Sequence, residues 1–341
     1  MTVFEPRREP KEIAGSEIPA PPLQGRRIHE LFETLAALVP GTPAVTAEGE
    51  MLTYGELDRR ANRLARFLRS LGLGTEERVA VALERSPEAV VALLGVWKAG
   101  GAWIPLDLSR PAERLGLSLE ESGATFLIAR EESAAALAAA APPWPLQDVG
   151  KLPPLWQLRI VRLDQEAAEI AGQSAAPVRS AAGPEHLACL LLDPSLDPTG
   201  AEPLEGLGMT HRDLVRRALG LACLPGGRPG TAHRVLHLAA GRSVVLEEVL
   251  LTLPQGAALH LAPPERLLGE ACGRLLEERD ITHLLLPKDL ARDLSSHLAA
   301  LPSLDLEIVP GHLRTLVSGP AVQTLSGLLR TPPEPGTGDP G

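Results

Sequence analysis

The sequence predicts an α/β fold of two layered subdomains, because strand-like and helix-like segments alternate along most of its 341 residues. The apolar run RVAVAL, residues 78–83, is typical of a buried strand. The next segment can form a helix with Ser86 as its cap, Pro87 in its first turn and the pair Gly100–Gly101 at its end. Such alternation indicates a mostly parallel, doubly wound sheet with helices on both faces.

The first subdomain is expected over residues 26–130, after a flexible arm at residues 1–25. Apolar residues recur at helical spacing from Ile28 onward, in IHELFETLAALV. A second helix should begin after Thr53, since Glu56 three residues later completes a capping box. Further strand and helix patterns follow as far as ATFLIA, which predicts a strand.

Residues 131–185 are rich in alanine and proline, and we expect a linker region with a single strand, LRIVRLD. Strand and helix patterns resume over residues 186–327, which we assign to the second subdomain. Residues 328–341 are rich in proline and glycine and predict a disordered tail.

Composition excludes several classes of function. A net charge of −10 argues against nucleic acid or an anionic membrane as the partner. The three cysteines are odd in number and far apart, which fits neither a disulfide framework nor a zinc site. The N-terminus lacks the apolar region of a secretory signal, and no apolar run reaches the ~18 residues of a membrane helix. These features predict a cytoplasmic protein without a metal site.

The segment 194–206, PSLDPTGAEPLEG, has the sequence context of a phosphate-binding loop. It follows the apolar run 187–192 and precedes a helical pattern that starts at Thr210, and backbone N–H groups at a helix start can hold an anion. Its glycines are sparse, however, and prolines interrupt it. The loop therefore predicts a retained shape and lost anion binding, because the charged residues in and beside it are Asp193, Asp197, Glu202 and Glu205.

Two segments carry a resemblance to a known family. Residues 52–72, LTYGELDRRANRLARFLRSLG, and residues 93–107, LLGVWKAGGAWIPLD, resemble the first two core motifs of adenylation domains from nonribosomal peptide synthetases. These belong to the AMP-forming adenylate ligases, which use ATP, Mg and a carboxylic or amino acid to make an acyl-adenylate. The resemblance, over about residues 28–321, implies the N-terminal lobe of the adenylate-forming fold with the C-terminal lobe missing.

The resemblance also assigns site residues. Thr199, Gly200 and Gly206 correspond to the phosphate loop, where Glu205 stands in place of the family's lysine. An anion in place of this cation reverses the sign of its interaction with a triphosphate.

A second assignment concerns the substrate pocket. Gly241 stands where relatives that use amino acids carry an aspartate for the substrate ammonium, and Ser243 matches a serine beside it. An α-amino acid is therefore expected to be a poor substrate. The family's later motifs, including its catalytic lysine, would lie beyond Leu329, so no catalytic residue and no bound cofactor are expected.

Other polar residues have structural interpretations. His211 is expected to cap or pack rather than react. His233 and His237 could share one face of a strand, but no third metal ligand is evident. The pair Glu247–Glu248 is expected on the solvated side of a helix rather than as an acid–base couple.

The sequence leaves three functional hypotheses. The chain is a degenerate, truncated adenylation-domain-like protein that acts as a non-catalytic partner in nonribosomal peptide biosynthesis. Alternatively, it is an active AMP-forming ligase completed in trans, or a gene remnant without function. We favour the first, because intact caps and amphipathic helices show that the sequence still specifies a fold. Its partner would be a protein, either a peptide-synthetase component or a second copy of this chain.

Overall fold

The computed structural model of the chain describes residues 25–108, 110, 112–140, 158–193, 205–220, 233–237, 244–263, 269–287, 307–308 and 314–318. Over these residues the fold is α/β with two sheets, as predicted. None of the described helices is both long enough and apolar enough to cross a bilayer.

The described residues form nine α-helices and thirteen strands. The helices are α1 (Ile28–Leu38), α2 (Tyr54–Ser70), α3 (Pro87–Ala99), α4 (Ala112–Ser122), α5 (Glu131–Ala140), α6 (Ala167–Gly172), α7 (His211–Gly220), α8 (Val244–Thr252) and α9 (Gly269–Glu278). The strands are β1 (Pro43–Ala47), β2 (Glu50–Thr53), β3 (Arg78–Ala82), β4 (Ala102–Pro105), β5 (Phe126–Ala129), β6 (Arg159–Arg162), β7 (Leu187–Asp193), β8 (Glu205–Thr210), β9 (Arg234–His237), β10 (Ala258–His260), β11 (His283–Pro287), β12 (Glu307–Ile308) and β13 (Arg314–Ser318).

Each sheet takes strands from both halves of the chain. The seven-stranded sheet has the order β12-β13-β11-β9-β10-β1-β2, and the six-stranded sheet has the order β6-β5-β3-β4-β7-β8. The predicted subdomains 26–130 and 186–327 therefore do not coincide with the two sheets. The partner of a strand depends on where each crossover returns the chain, which the local pattern does not encode.

Helices cover both faces of the six-stranded sheet, in agreement with the doubly wound pattern. Along β3, Val79 and Val81 face the large core that contains α2 and α3, whereas Ala80 and Ala82 face a second core formed with α4 and α5. This alternation follows from the two-residue period of a strand. Helix α3 is buried along nearly its whole length between the sheets.

The predicted helix boundaries are confirmed by their caps. Thr53 and Glu56 form a capping box, in which the Glu56 backbone N–H donates to Thr53 Oγ1 at 3.2 Å. At the start of α3, Ser86 Oγ accepts from the backbone N–H of Ala89 at 3.3 Å. The helix ends at Gly100, whose φ of +105° lies in the left-handed region that glycine adopts without strain.

Part of the predicted linker region 131–185 belongs to the folded core. Its alanine-rich start forms α5, with Ala134 and Leu137 buried in the second core, because alanine has the highest helix propensity and permits close packing. The predicted strand is present as β6. Residues 141–157, the arm before Gly25 and the tail 328–341 lie outside the described residues.

Candidate functional site

The predicted phosphate loop joins the strands of an antiparallel hairpin. Strand β7 pairs with β8 from Leu187 opposite Thr210 to Asp193 opposite Glu205. The helix predicted from Thr210 is present as α7, which begins at His211, and strand β8, which was not predicted, lies between the loop and this helix. The backbone groups of β7 need partners along its length, and β8 supplies them. Thr210 then caps α7, accepting at 3.1 Å from the backbone N–H of Asp213.

Two acidic residues occupy the loop end of this hairpin. Asp193 and Glu205 are partners in the backbone register of the hairpin. Neither position carries a residue with a positive charge.

Only one of the assigned phosphate-loop residues is described. Gly206 lies in β8 and pairs with Leu192 of β7. A Cβ at position 206 would lie 2.9 Å from Cδ1 of Leu190. Its missing side chain thus serves strand packing. Thr199 and Gly200 lie outside the described residues, as do Gly241 and Ser243 of the assigned substrate pocket.

A buried polar network lies next to the segment that carries the pocket residues. Arg85 donates through Nη2 to Glu248 Oε1 at 2.5 Å and through Nε to Glu248 Oε2 at 3.2 Å. It also donates to the backbone carbonyls of His237 at 3.2 Å and Ala262 at 3.0 Å. His237 Nδ1 lies 3.1 Å from Glu248 Oε1. One arginine after β3 is therefore bonded at the carboxyl ends of β9 and β10 in the other sheet.

The prediction that Glu247–Glu248 lies on the solvated side of a helix is wrong for Glu248, whose side chain is fully buried. Burial alone would raise the pKa of Glu248, but the charge of Arg85 and the bond and charge of His237 outweigh it and lower that pKa. Glu247 remains partly exposed, 3.6 Å from Arg217. The α8 pattern did not reveal this difference because adjacent helical residues lie 100° apart and only one faces Arg85.

Sequence reasoning missed Arg85. Its position gave one usable signal, since it lies just after β3, and ligands of open α/β sheets bind beyond the carboxyl ends of strands.

The strand histidines are not brought together. His237 contacts Glu248, whereas His233 packs edge-on against the ring of His283, with centroids 4.7 Å apart. Within the described ranges, no group of three or more histidine, cysteine or acidic residues is arranged to hold a metal ion.

His211 packs in the interior. It is fully buried at the start of α7, edge-on to His29 of α1 with ring centroids 5.4 Å apart. Burial first, and then the charges of Arg27 and His186, lower the pKa of His211 to about 4. Neither ring nitrogen of His211 has a hydrogen-bond partner among the described residues.

Comparisons with known proteins give a consistent result. Residues 32–192 match the family model described as AMP-binding enzyme. The chain is 35% identical over 314 residues to chondramide synthase cmdD of Chondromyces crocatus, which covers 89% of this chain and 7% of that protein. It is 34% identical over 317 residues to the phosphinothricin tripeptide synthetase PhsC of Streptomyces viridochromogenes, which covers 91% of this chain and 26% of that protein. The chain thus spans a small part of these relatives.

Solved structures share the fold. The nonribosomal peptide synthetase FmoA3, with α-methyl-L-serine-AMP bound, superposes with a TM-score of 0.65 at 24% identity, over 83% of this chain and 29% of that chain. FmoA3 has also been solved with AMPPNP. The N-terminal domain of FACL13 from Mycobacterium tuberculosis superposes with a TM-score of 0.62 at 20% identity, over 75% of this chain and 62% of that chain.

Proposed function

We propose, from the premise that residues 32–192 belong to the AMP-binding enzyme family, that this adenylation-domain-like chain does not itself form acyl-adenylates. It serves instead as a non-catalytic component in nonribosomal peptide biosynthesis. The observation that carries the proposal is the hairpin register, which sets Asp193 opposite Glu205 at the loop where the family holds ATP.

Charge supports this proposal more directly than shape does. The hairpin itself is intact, so the loop is anchored at both ends as a binding loop requires. The substitution of a lysine by Glu205, inferred from the resemblance, replaces an attraction to phosphate by a repulsion. Catalysis of phosphoryl or adenylyl chemistry depends on cations placed where negative charge develops, and an anion there opposes it.

The substrate pocket gives a second line of support from the sequence. With Gly241 in place of the aspartate, the pocket offers no carboxylate at that position to the ammonium of an α-amino acid. A buried ammonium without a partner is strongly disfavoured. On this proposal the chain binds α-amino acids poorly. It contributes to a peptide-synthetase assembly through contacts with another protein.

ATP–pyrophosphate exchange and ATP binding test the proposal together. The wild-type chain should show no exchange above a heat-denatured sample with any proteinogenic amino acid. E205K should bind ATP more tightly than wild type, whereas E132K, which makes the same charge change at an exposed position of α5, should not. Calorimetric titration measures the ATP affinity of each protein. The titrations are done at low ionic strength, because salt screens the charges of an exposed site.

Reproducible exchange by the wild type would overturn the proposal and favour an active AMP-forming ligase completed in trans. Equal ATP affinity of E205K and wild type would show that position 205 does not face the nucleotide.

A further inference from the structure

The outward face of α2 is positively charged, although the net charge of the chain is −10. The inward face is apolar, with Leu57, Leu64 and Leu68 buried in the large core. The outward residues, defined here as the arginine face, are Arg59, Arg60, Arg63, Arg66 and Arg69. Since a helix rises 1.5 Å per residue, this face extends over ~15 Å.

The acidic residues of α2 offset this face only in part: bonds from Thr53, and then the charges of Arg59 and Arg60, lower the pKa of Glu56. Glu56 is engaged in the capping box with Thr53. Asp58 is directed to the buried Lys98, whose Nζ donates to Asp58 Oδ1 at 2.8 Å. Among the described residues, Arg60 is the one member of this face with an ion-pair partner, Glu50, at 2.6 Å.

Two of the arginines make no ion pair among the described residues. These are Arg59, which is exposed, and Arg63, which is half-buried one turn further along the helix. The Nε of Arg63 is shielded from solvent and has no hydrogen-bond acceptor in the described part of the chain. Elsewhere on the surface, arginines meet carboxylates, as Arg130 does with Glu88 at 2.6 Å.

The other two arginines are fixed in place by backbone carbonyls. Arg66 donates to the carbonyls of Ser174 at 3.1 Å, Ala176 at 2.8 Å and Pro177 at 3.0 Å. Arg69 donates to the carbonyl of Ala99 at 3.1 Å. These bonds order the side chains without cancelling their charge. Burial and the neighbouring Arg66 charge lower the pKa of Arg69, which reflects the crowding of cations on this face.

We infer that the arginine face docks an acidic segment of a partner protein, one that presents carboxylates at helical spacing. The inference rests on the proposed function, which gives this chain a protein partner. Arg59, Arg63 and Arg66 follow each other at intervals of four and three residues, so they lie along one line of the helix. Arginine is enriched at protein interfaces, and its planar fork binds a carboxylate with two hydrogen bonds.

The charge balance favours a protein segment over a polyanion. A nucleic acid extends well beyond ~15 Å and would also meet the surrounding surface of a chain with net charge −10. A short acidic segment can lie on the arginine face alone. Its interaction is local, and it should weaken with added salt.

The probe is a fluorescent helical peptide of about 14 residues with glutamates at positions i, i+4 and i+7, alongside a glutamine counterpart. Its anisotropy is measured with the full chain, with the double variant R59Q/R63Q, and with the control R212Q/R216Q on α7. Each variant removes two exposed or half-exposed cations. Because exposed charge pairs contribute modestly, R59Q/R63Q should weaken binding by about three- to tenfold and the control by less than about twofold.

Three outcomes would overturn the inference. The glutamine peptide could bind as tightly as the glutamate peptide, or the control could weaken binding as much as R59Q/R63Q does. A single-stranded oligonucleotide of equal charge could bind more tightly, which would assign the face to nucleic acid. None of these measurements depends on ATP, so the docking surface and the proposed loss of adenylation can fail separately.

Discussion

Arg85 and Glu248 form a buried ion pair that fastens the two sheets to each other. Arg85 follows β3 of the six-stranded sheet, and Glu248 lies in α8, beside the carboxyl ends of β9 and β10. The Glu248 side chain is fully buried and that of Arg85 is 11% exposed. The bonds from Arg85 to two strand-end carbonyls extend the pair into a polar network between the sheets.

Breaking this pair should destabilise the fold strongly. R85M leaves the Glu248 carboxylate buried without its cation, and such losses cost about 3–5 kcal/mol of unfolding free energy. R130M, which breaks the exposed pair with Glu88, should cost at most ~1 kcal/mol. Urea unfolding followed by circular dichroism measures both. Equal stability of R85M and wild type would show that water or another cation compensates Glu248.

The crossing of α2 and α3 depends on the absence of a side chain at Gly95. A Cβ there would lie 2.9 Å from Cδ2 of Leu64. G95A should therefore destabilise the fold by ~1–3 kcal/mol through overpacking. The control is G116A in α4, where nothing lies within 4 Å of the added Cβ, and where alanine should stabilise the helix by ~0.5–1 kcal/mol. The midpoint temperature of thermal unfolding should fall for G95A and rise for G116A.

Acid should weaken the contact between α1 and α7. His211 has its pKa lowered to about 4 by burial, with the charges of Arg27 and His186 adding to the effect while Glu30 opposes it. His29 has its pKa lowered well below 6.5 by burial and by His211, Lys98 and Arg27. Both groups bind protons more readily when unfolded, so the stability they contribute is complete above pH ~6.5 and falls progressively toward pH ~4.

The unfolding free energy measured at pH 7.5, 5.5 and 4.5 tests this dependence. His283 also has a pKa lowered to about 4, by burial and by His233, and contributes in the same direction. H29L/H211L should therefore reduce the slope between pH 6.5 and 4.5 without removing it. An unchanged slope in this variant would place the acid sensitivity elsewhere.

Two cysteines should be inert in the folded protein. Burial raises the pKa of the Cys189 thiol to about 12 and that of Cys272 to about 11, and only the thiolate is an effective nucleophile. Neither should react with iodoacetamide at pH 8 in buffer, and both should react in urea. Peptide mapping by mass spectrometry distinguishes these positions, and modification of either in buffer would indicate local opening of the strand or helix that carries it.

Features that depend on neighbouring residues could be predicted from the sequence. The capping box of Thr53 and Glu56 acts over three residues, and the left-handed end of α3 follows from Gly100 itself. Helix α5 and strand β8 were harder to predict. The alanines of α5 also suit a linker, and β8 exists because β7 lies beside it.

The sequence by itself therefore determined most of the helices and strands, the caps of α2 and α3 and the apolar face of α2, since these follow from local signals and from periodicities of two and 3.6 residues. Only the tertiary structure decided which strands share a sheet, that Asp193 stands opposite Glu205, and that Glu248 is buried against an arginine 163 residues away. Such relationships depend on where each crossover returns the chain. Burial of a charge is then decided by whether its partner arrives at the same place, which no local pattern records.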